Sequence, residues 1–444
     1  MKDTFTKPKM VVFSSLFVSC GLGSIMLGWV TYFATEYLGL AAGTVGLLFM
    51  VSKFFDGFTD IVAGYIIDQT NSKMGKGRPY DLAQIGYWTT IVLLFVVPVM
   101  SIRLTYAWIF IMYTLANSVF WTLLNCASPV YMANVIDRPE QSVTANAIIG
   151  VISMIASTAG GIIIPQLAAN VGTTRRGWAV IAIGAAIPSL LIGMMRFFIV
   201  KEKAQRKSTV EKFTFGDAWH AITHNKYIVL FSLIIFVSNV SSNLSANASK
   251  YYYSYVLGDV GLASIMSLTQ LASIVSIVIT PILSKKIGFI RFMRILTIVS
   301  VIGNLLRLIN PYSVPLIFIT GFFTGISYLT IWLYINTFII DCIDYGEWNT
   351  GRRSEGTISC VQSVFAKVSV GVGTGMSGVL LGASGYNGSL TVQSDSTIRM
   401  LITLFIVIPA VFTVIQYVIL RAYNLEDKLP QIRQELAERK EKSK

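Results

Sequence analysis

Charged residues are scarce in this chain. Only 13% of its 444 residues are Asp, Glu, Lys or Arg, whereas about a quarter are charged in a typical soluble domain. Hydrophobic residues reach 54%, and the mean hydropathy is +0.65. Several apolar stretches exceed the roughly 20 residues that a helix needs to cross a bilayer. The composition excludes an ordinary soluble domain and predicts a polytopic membrane protein.

Cysteine and histidine are rare as well. The four cysteines show no C-x-x-C spacing, so we expect free thiols. The two histidines, His220 and His224, are i,i+4 neighbours but lack the Glu of a zinc-hydrolase motif. Since there is also no nucleophile–base pair, we predict neither a metal centre of the zinc type nor an enzyme, and no cofactor. The cysteines are Cys20, Cys126, Cys342 and Cys360.

Apolar runs divide the chain into twelve segments. Because backbone in lipid must satisfy its hydrogen bonds internally, runs of this length predict helices. We expect an all-α membrane protein with twelve transmembrane helices in two six-helix halves, 1–200 and 227–423, joined by a linker at 201–226 and followed by a tail at 424–444. The segments are 10–37, 42–67, 81–101, 104–134, 140–170, 177–200, 227–255, 260–284, 290–309, 312–341, 357–382 and 396–423.

The net charge of +13 is distributed unevenly along the chain. Most Lys and Arg residues lie in the two terminal tails, the 201–226 linker and alternate connections. The positive-inside rule therefore places both termini and the linker in the cytoplasm. Topology explains the basic charge, so nucleic-acid binding is not predicted. The connections "NSKMGKGRPY" and "LSKKIGFIRFM" are both short, basic and glycine-containing, which suggests two related halves, a transporter architecture.

The second segment carries an unusual group of charges. Asp56 and Asp60 are spaced i,i+4 and share one helix face, and an acid at the bilayer centre costs about 2.5–3.5 kcal/mol on insertion scales. One interpretation is an internal ion pair of Asp56 with Lys53 that holds helices together. The other is a site for a monovalent cation, because such ions prefer oxygen ligands. The acid pair suits Na⁺ or H⁺ equally.

Other polar residues also lie within the predicted spans. Lys367 is flanked by small residues that permit close helix approach, and we expect Asp56 or Asp60 to be its partner. Lys250 lies in the seventh segment, whose many Asn and Ser residues predict a water-filled cavity. Thr114 is a candidate oxygen ligand, although a lone Thr in a membrane helix usually bonds to its own backbone.

Two stretches resemble the motif regions of the glycoside–pentoside–hexuronide:cation symporter family, within the major facilitator superfamily. They are "DGFTDIVAGYIIDQTNSKMGKGRPY" and "DCIDYGEWNTGRRSEGTISCVQSVFAKVS". The resemblance runs through all twelve segments. It implies uptake of a sugar, glycoside or hexuronide with Na⁺, Li⁺ or H⁺ by alternating access. It also implies a multi-pass protein of the bacterial inner membrane that works as a monomer.

The resemblance assigns roles to individual positions. The cation would bind at Asp56, Asp60 and Thr114, and Lys53 matches a basic position before the first acid. Positions implied for the substrate are Cys20, Tyr113, Asn117, Trp121, Trp332, Gln362 and Lys367, the last of which joins the two sites. Positions implied for closure of the cytoplasmic side are Arg78, Asp344, Tyr345, Arg352 and Arg353.

The sequence departs from the family pattern at three positions. Cys20 and Asn117 stand where the family has sugar-binding acids, and Asn146 lies near the place of a family arginine. With two carboxylates lost and Lys367 retained, we predict a less negative pocket and an anionic substrate such as a hexuronide. The alternative function is an uncoupled sugar facilitator on the same fold.

Overall fold

A computed structural model describes residues 5–136, 139–202, 225–351 and 355–442. These ranges are mostly helical and contain no β-strand. The helices are α1 Lys7–Glu36, α2 Ala42–Gln69, α3 Ala83–Phe95, α4 Ile102–Val135, α5 Pro139–Asn170, α6 Arg175–Ile199, α7 Lys226–Val256, α8 Leu262–Ile287, α9 Phe289–Ile309, α10 Val314–Leu333, α11 Ile335–Thr350, α12 Glu355–Ala383, α13 Asp395–Ala422 and α14 Leu429–Lys442.

Each of the twelve predicted segments contains one of these helices. Among the described residues, ten helices are long and apolar enough to cross a membrane. The other two predicted spans correspond to α2, which carries the Lys53, Asp56 and Asp60 charges, and to α3, which is shorter and begins after a turn at Arg78–Leu82.

The tenth predicted segment is wrong in its extent. The chain leaves the helix at Tyr334 and resumes it as α11, so most of the "DCIDYGEWNTGRR" stretch, expected to be a connection, is helical. Gly351 ends α11 with a φ of 71°, a left-handed conformation that favours glycine. Its N–H donates to the Glu347 carbonyl at 2.9 Å.

A further helix, α14, occupies the predicted tail. Leu429, Ile432 and Leu436 follow a helical spacing and are buried in a hydrophobic cluster with Phe338. The segment as a whole has a low hydropathy, so the packing of these three side chains is what holds α14 in place. We predicted no helix in the tail, because only three apolar residues in this charged segment indicate one.

Polar contacts also join α14 to α11. Arg433 donates to Asp341 at 3.0 Å and to Asp344 at 2.8 Å. Trp348 Nε1 donates to Glu435 at 2.6 Å, and this hydrogen bond lowers the pKa of Glu435 by favouring its charged form.

The described helices form two compact units. The described residues of the first are 5–136, 139–202, 253–268 and 378–398. Inside it, Arg196 on α6 and Asp81 before α3 form an ion pair whose side chains are both 0% exposed. Arg196 Nε donates to Asp81 at 2.9 Å, and Nη1 donates to Ser128 at 2.7 Å. A paired and hydrogen-bonded arrangement is what makes such buried charge tolerable.

The described residues of the second unit are 225–252, 269–351, 355–377 and 399–442. Its interior contains stacked aromatic rings, such as Phe231 and Phe338 with centroids 4.7 Å apart. A neutral pair joins α13 to α9: Gln416 Nε2 lies 3.4 Å from Thr297 Oγ1. Residues 203–224 of the predicted linker, including both histidines, lie outside the described residues, so the predicted division of the chain at the linker stays a prediction.

Candidate functional site

The charged group of α2 faces a distorted part of α4. Residues Leu115–Trp121 of α4 are π-helical, a wider turn that occurs often at functional sites. The turn carries Asn117 and Ser118 next to each other, and both reach α2. The candidate site therefore lies between α2 and α4, within the first unit.

Asp56 is the centre of this site. It is 8% exposed, and both of its carboxylate oxygens are engaged. Lys53 Nζ lies 3.0 Å from Oδ2, and the Ser118 hydroxyl donates to Oδ1 in a short hydrogen bond. The sequence-based pairing of Lys53 with Asp56 is confirmed, and Ser118 ties the same carboxylate to α4.

Hydroxyl groups extend the oxygen-rich surface beside Asp56. Thr114 Oγ1 donates to Ser52 Oγ at 3.0 Å, and Ser118 Oγ also lies 3.3 Å from the Ser52 carbonyl. Thr114 thus bonds across to α2, so the alternative that it serves only its own backbone is wrong. One carboxylate and three hydroxyls together offer the hard oxygen donors that a small monovalent cation takes as ligands.

Lys53 connects this oxygen cluster to a predicted substrate position. Its Nζ lies 3.2 Å from Asn117 Oδ1 and 5.9 Å from the centroid of the Tyr113 ring. The Asn117 amide donates to the Tyr113 carbonyl at 3.3 Å, which directs its oxygen towards the ammonium. Phe49 stacks on Tyr113 at 3.9 Å. Lys53 therefore contacts both a predicted cation ligand and predicted substrate residues.

Asp60 lies one turn further along α2 and is half-buried. When Lys53, Asp56 and Asp60 are all ionised, the group carries one net negative charge. A single monovalent cation would balance this charge.

The remaining predicted substrate residues lie in different places. In the first unit, Cys20 is buried at 2% exposure, and Trp121, at the end of the π-helical turn, lies 6.0 Å from Tyr87 between ring centroids. In the second unit, Trp332 on α10 is 37% exposed and Gln362 on α12 is buried. Lys367, half-buried on α12, also belongs to the second unit, and its predicted pairing with Asp56 or Asp60 stays a prediction.

Arg78, a predicted closing residue, belongs to a set of contacts that we call the first clasp: Gly77, Arg78, Phe197 and Glu202. Glu202 accepts hydrogen bonds from the Gly77 N–H at 3.0 Å and the Arg78 N–H at 2.8 Å. Arg78 Nε donates to the Phe197 carbonyl at 2.9 Å. A Cβ at position 77 would lie 2.7 Å from Tyr131, so only glycine fits there.

The second unit contains an equivalent set, the second clasp: Phe289, Ile290, Arg294, Leu420 and Glu426. Glu426 accepts from the Phe289 N–H at 2.6 Å and the Ile290 N–H at 2.8 Å. Arg294 Nε donates to the Leu420 carbonyl at 3.0 Å. Each clasp fixes the connection between two helices onto the end of a third.

The other predicted closing residues lie on or after α11. Asp344 pairs with Arg433, and Tyr345 packs edge-on against Tyr227 at 4.7 Å. Arg352 and Arg353 lie outside the described residues. Asp344 is therefore engaged by the chain's own last helix, which the sequence reasoning did not foresee.

Sequence reasoning also missed two residues of the site. Ser52 and Ser118 complete the oxygen cluster around Asp56. Ser52 precedes Asp56 by one turn, so the i,i+4 spacing was an available signal. Ser118 offered none, because its position depends on the π-helical turn.

Comparison with known proteins agrees with the resemblance. The family model described as MFS/sugar transport protein matches residues 17–427. The isoprimeverose transporter of Lactiplantibacillus pentosus is 26% identical over 400 residues, covering 86% of this chain and 82% of the relative. The putative sulfoquinovose importer of Escherichia coli is 25% identical over 400 residues, covering 86% and 83%.

Solved structures confirm the expected fold. A bacterial homologue of the human lysosomal transporter Spinster, in an inward-facing and unoccupied conformation, matches with a TM-score of 0.68 at 12% identity, covering 95% of this chain and 98% of that chain. At this identity the likeness shows the fold alone. The architecture is the all-α major facilitator fold.

Proposed function

Because the chain belongs to the MFS/sugar transport protein family, we propose that it imports a sugar or glycoside together with a monovalent cation. The resemblance to the glycoside–pentoside–hexuronide:cation symporters is confirmed by the relatives. Membership makes the chain a multi-pass sugar transporter. The coupled cation, the direction of transport and the site residues are the content of the proposal.

The oxygen cluster around Asp56 is the observation that carries the proposal. Asp56, Ser118, Ser52 and Thr114 bring a buried carboxylate and three hydroxyls together on α2 and α4. The packing of a helix against lipid does not require such a cluster, and burying these polar groups costs free energy. Its donors suit Na⁺ or Li⁺, and the carboxylate also suits H⁺.

Coupling follows from the contact between the cluster and the predicted substrate residues. A cation at Asp56 neutralises the excess negative charge of α2. It also weakens the attraction of Lys53 to Asp56 and so changes the interaction of Lys53 with Asn117. If ion and substrate favour the same state, each raises the affinity of the other, typically by about 5–150-fold. The protein with both ligands bound then closes its site to one side of the membrane and opens it to the other.

Transport into membrane vesicles tests this function. Labelled neutral glycosides and uronides are offered under an imposed inward Na⁺ or H⁺ gradient, and gradient-driven accumulation is expected for one substrate class. Asp56→Asn should abolish accumulation because it removes the charge that attracts the ion. Asp427→Asn, the same change at an exposed acid outside the site, is the matched control. Full accumulation by an Asp56→Asn/Asp60→Asn double variant would contradict the proposed role.

The substrate panel also tests the expected anionic preference. Asn117 in place of a carboxylate, with Lys53 Nζ 3.2 Å away, makes this part of the site less negative. The relative named for sulfoquinovose, a sugar with a sulfonate group, is compatible with such a substrate. Strong preference for neutral galactosides over uronides would overturn this part of the proposal.

One observation favours the second candidate, an uncoupled facilitator. The Lys53–Asp56 pair neutralises the buried carboxylate without any external ion. In a facilitator, counterflow of the labelled sugar would proceed at the same rate with and without Na⁺ and across changes of pH. Ion-dependent counterflow in the unmodified protein decides for the symporter.

A further inference from the structure

Lys53 occupies the place where the transported ion is expected. Its ammonium has three N–H donors and no lone pair, so it sits at Asp56 Oδ2 as a cation and not as a ligand for one. The Ser118 hydroxyl on Oδ1 is different, because its oxygen can turn a lone pair towards an ion. An incoming Na⁺ can share the site with Ser118, but it must displace Lys53.

In the same position, the ammonium is also held by groups on α4. Asn117 Oδ1 lies 3.2 Å from Nζ, and the face of the Tyr113 ring lies below it at 5.9 Å. Carbonyl oxygens and aromatic faces both attract ammonium groups. The hydrogen bond from the Asn117 side chain to the Tyr113 carbonyl and the stacking of Phe49 on Tyr113 hold these groups in place.

The lysine side chain suits the release of one of these partners. Its charge sits at the end of a flexible four-carbon stem, unlike the planar fork of arginine. The side chain is 14% exposed, so on losing one partner the charge must keep another. Because Nζ bonds Asn117 and Asp56 at the same time, it can leave Asp56 and keep Asn117 without moving the backbone.

We propose that Lys53 is a tethered counter-ion: it holds Asp56 when the transported cation is absent, and it releases Asp56 and is held by Asn117 and Tyr113 alone when that cation binds. This inference rests on the proposed coupling at Asp56. It names Lys53 as the residue that carries the state of the ion site to the substrate side of α4. It also explains how a buried carboxylate is kept stable in the ion-free carrier.

Direct titration with Na⁺ tests the proposal. The purified protein in choline chloride is titrated with NaCl by calorimetry, and the dissociation constant is compared among variants. If Lys53 holds Asp56 about nine-tenths of the time, Lys53→Gln should bind Na⁺ about tenfold more tightly, because the competent fraction rises accordingly. Lys226→Gln, at an exposed lysine outside the site, should leave the constant unchanged.

Two variants at Asn117 keep Lys53 and so guard against loss of folding in Lys53→Gln. Asn117→Asp draws the ammonium away from Asp56 and should tighten Na⁺ binding. Asn117→Leu removes the partner on α4 and should weaken it. An added carboxylate would also attract Na⁺ directly, so Asn117→Asp is repeated in the Lys53→Gln background: a moving ammonium predicts that the tightening is lost there, whereas direct attraction predicts that it persists.

For a carrier that responds to H⁺ and not to Na⁺, the same variants are compared in vesicles with an imposed H⁺ gradient. Lys53→Gln should change the dependence of substrate uptake on the size of the gradient, and Lys226→Gln should not.

The outcomes separate the two proposals. No Na⁺ binding, no pH response and no ion-dependent transport in the unmodified protein would end the proposed coupling, and the role of Lys53 with it. Ion binding in the unmodified protein with no change in Lys53→Gln, or shifts of the same sign in Asn117→Asp and Asn117→Leu, would overturn the tethered counter-ion alone.

Discussion

Comparing the two clasps shows that the same structural solution is built from different sequences. In the first clasp, Glu202 caps two backbone N–H groups while Arg78 reaches the end of α6. In the second, Glu426 and Arg294 make the same kinds of contact at the end of α13. Carboxylates that accept backbone N–H bonds are charge-assisted and strong. The repeated contacts indicate that this part of each half is structural.

The membrane interior of the two halves is not repeated in this way. α2 carries Lys53, Asp56 and Asp60, whereas α8, its counterpart in the order of helices, has no charged residue before Lys285. Likewise, the first unit buries the Arg196–Asp81 ion pair, whereas Gln416 and Thr297 form a neutral pair in the second. The buried acids Asp56 and Asp81 both lie in the first half, where the proposed ion site lies.

The largest effect expected from this comparison concerns the buried charges. Asp81→Asn leaves Arg196 buried without its counter-charge, and we expect a loss of about 3–5 kcal/mol in unfolding free energy. Thr297→Val removes only a neutral hydrogen bond and should cost about 1 kcal/mol. Thermal unfolding in detergent measures both.

A double variant sharpens that prediction. Asp81→Leu/Arg196→Leu removes both charges and should recover most of the stability lost in Asp81→Asn, as buried pairs often do when replaced together. Equal losses of unfolding free energy in Asp81→Asn and Thr297→Val would show that the ionic and neutral pairs contribute equally to stability.

An intermediate effect is expected at the clasps. Glu202→Gln and Glu426→Gln each weaken the charge-assisted bonds from two backbone N–H groups, at a cost of about 1–3 kcal/mol. Hydrogen–deuterium exchange should accelerate at the Gly77 and Arg78 amides in one variant and at the Phe289 and Ile290 amides in the other. If one variant shows this acceleration and the other does not, the two clasps are not equivalent.

The smallest effect is expected where α14 docks on α11. Arg433 is 51% exposed at its side chain, so its pairs with Asp341 and Asp344 contribute about 0.2–1 kcal/mol. Arg433→Gln should modestly raise amide exchange across residues 429–442, with Arg421→Gln as the exposed control. Full undocking would mean that charge, and not the buried Leu429, Ile432 and Leu436, holds α14.

The sequence predicted the helices well because membrane spans are set by long apolar runs, which are visible without any knowledge of packing. It did not predict the break at Tyr334 or helix α14. Both depend on tertiary packing of short segments. In particular, the apolar stripe of α14 is only three residues in a charged context.

The candidate site was predicted in part for the same reason. Asp56 and Lys53 stand out because charge in an apolar run is unusual, and their i,i+3 spacing placed them together. Ser52 and Ser118 do not stand out, since hydroxyls are common in membrane helices. Their role depends on how α4 turns opposite α2, which local spacing does not encode.

The π-helical turn of α4 has an evolutionary consequence. A turn with one additional residue shifts everything beyond it by about 100° around the helix axis relative to an α-helix. Removing a single residue between Leu115 and Trp121 would therefore turn one side of α4 away from α2 while preserving its composition and hydropathy. Relatives that lack this residue would differ at the proposed Asp56 site far more than their overall identity suggests, and a one-residue gap inside a membrane helix would mark the event.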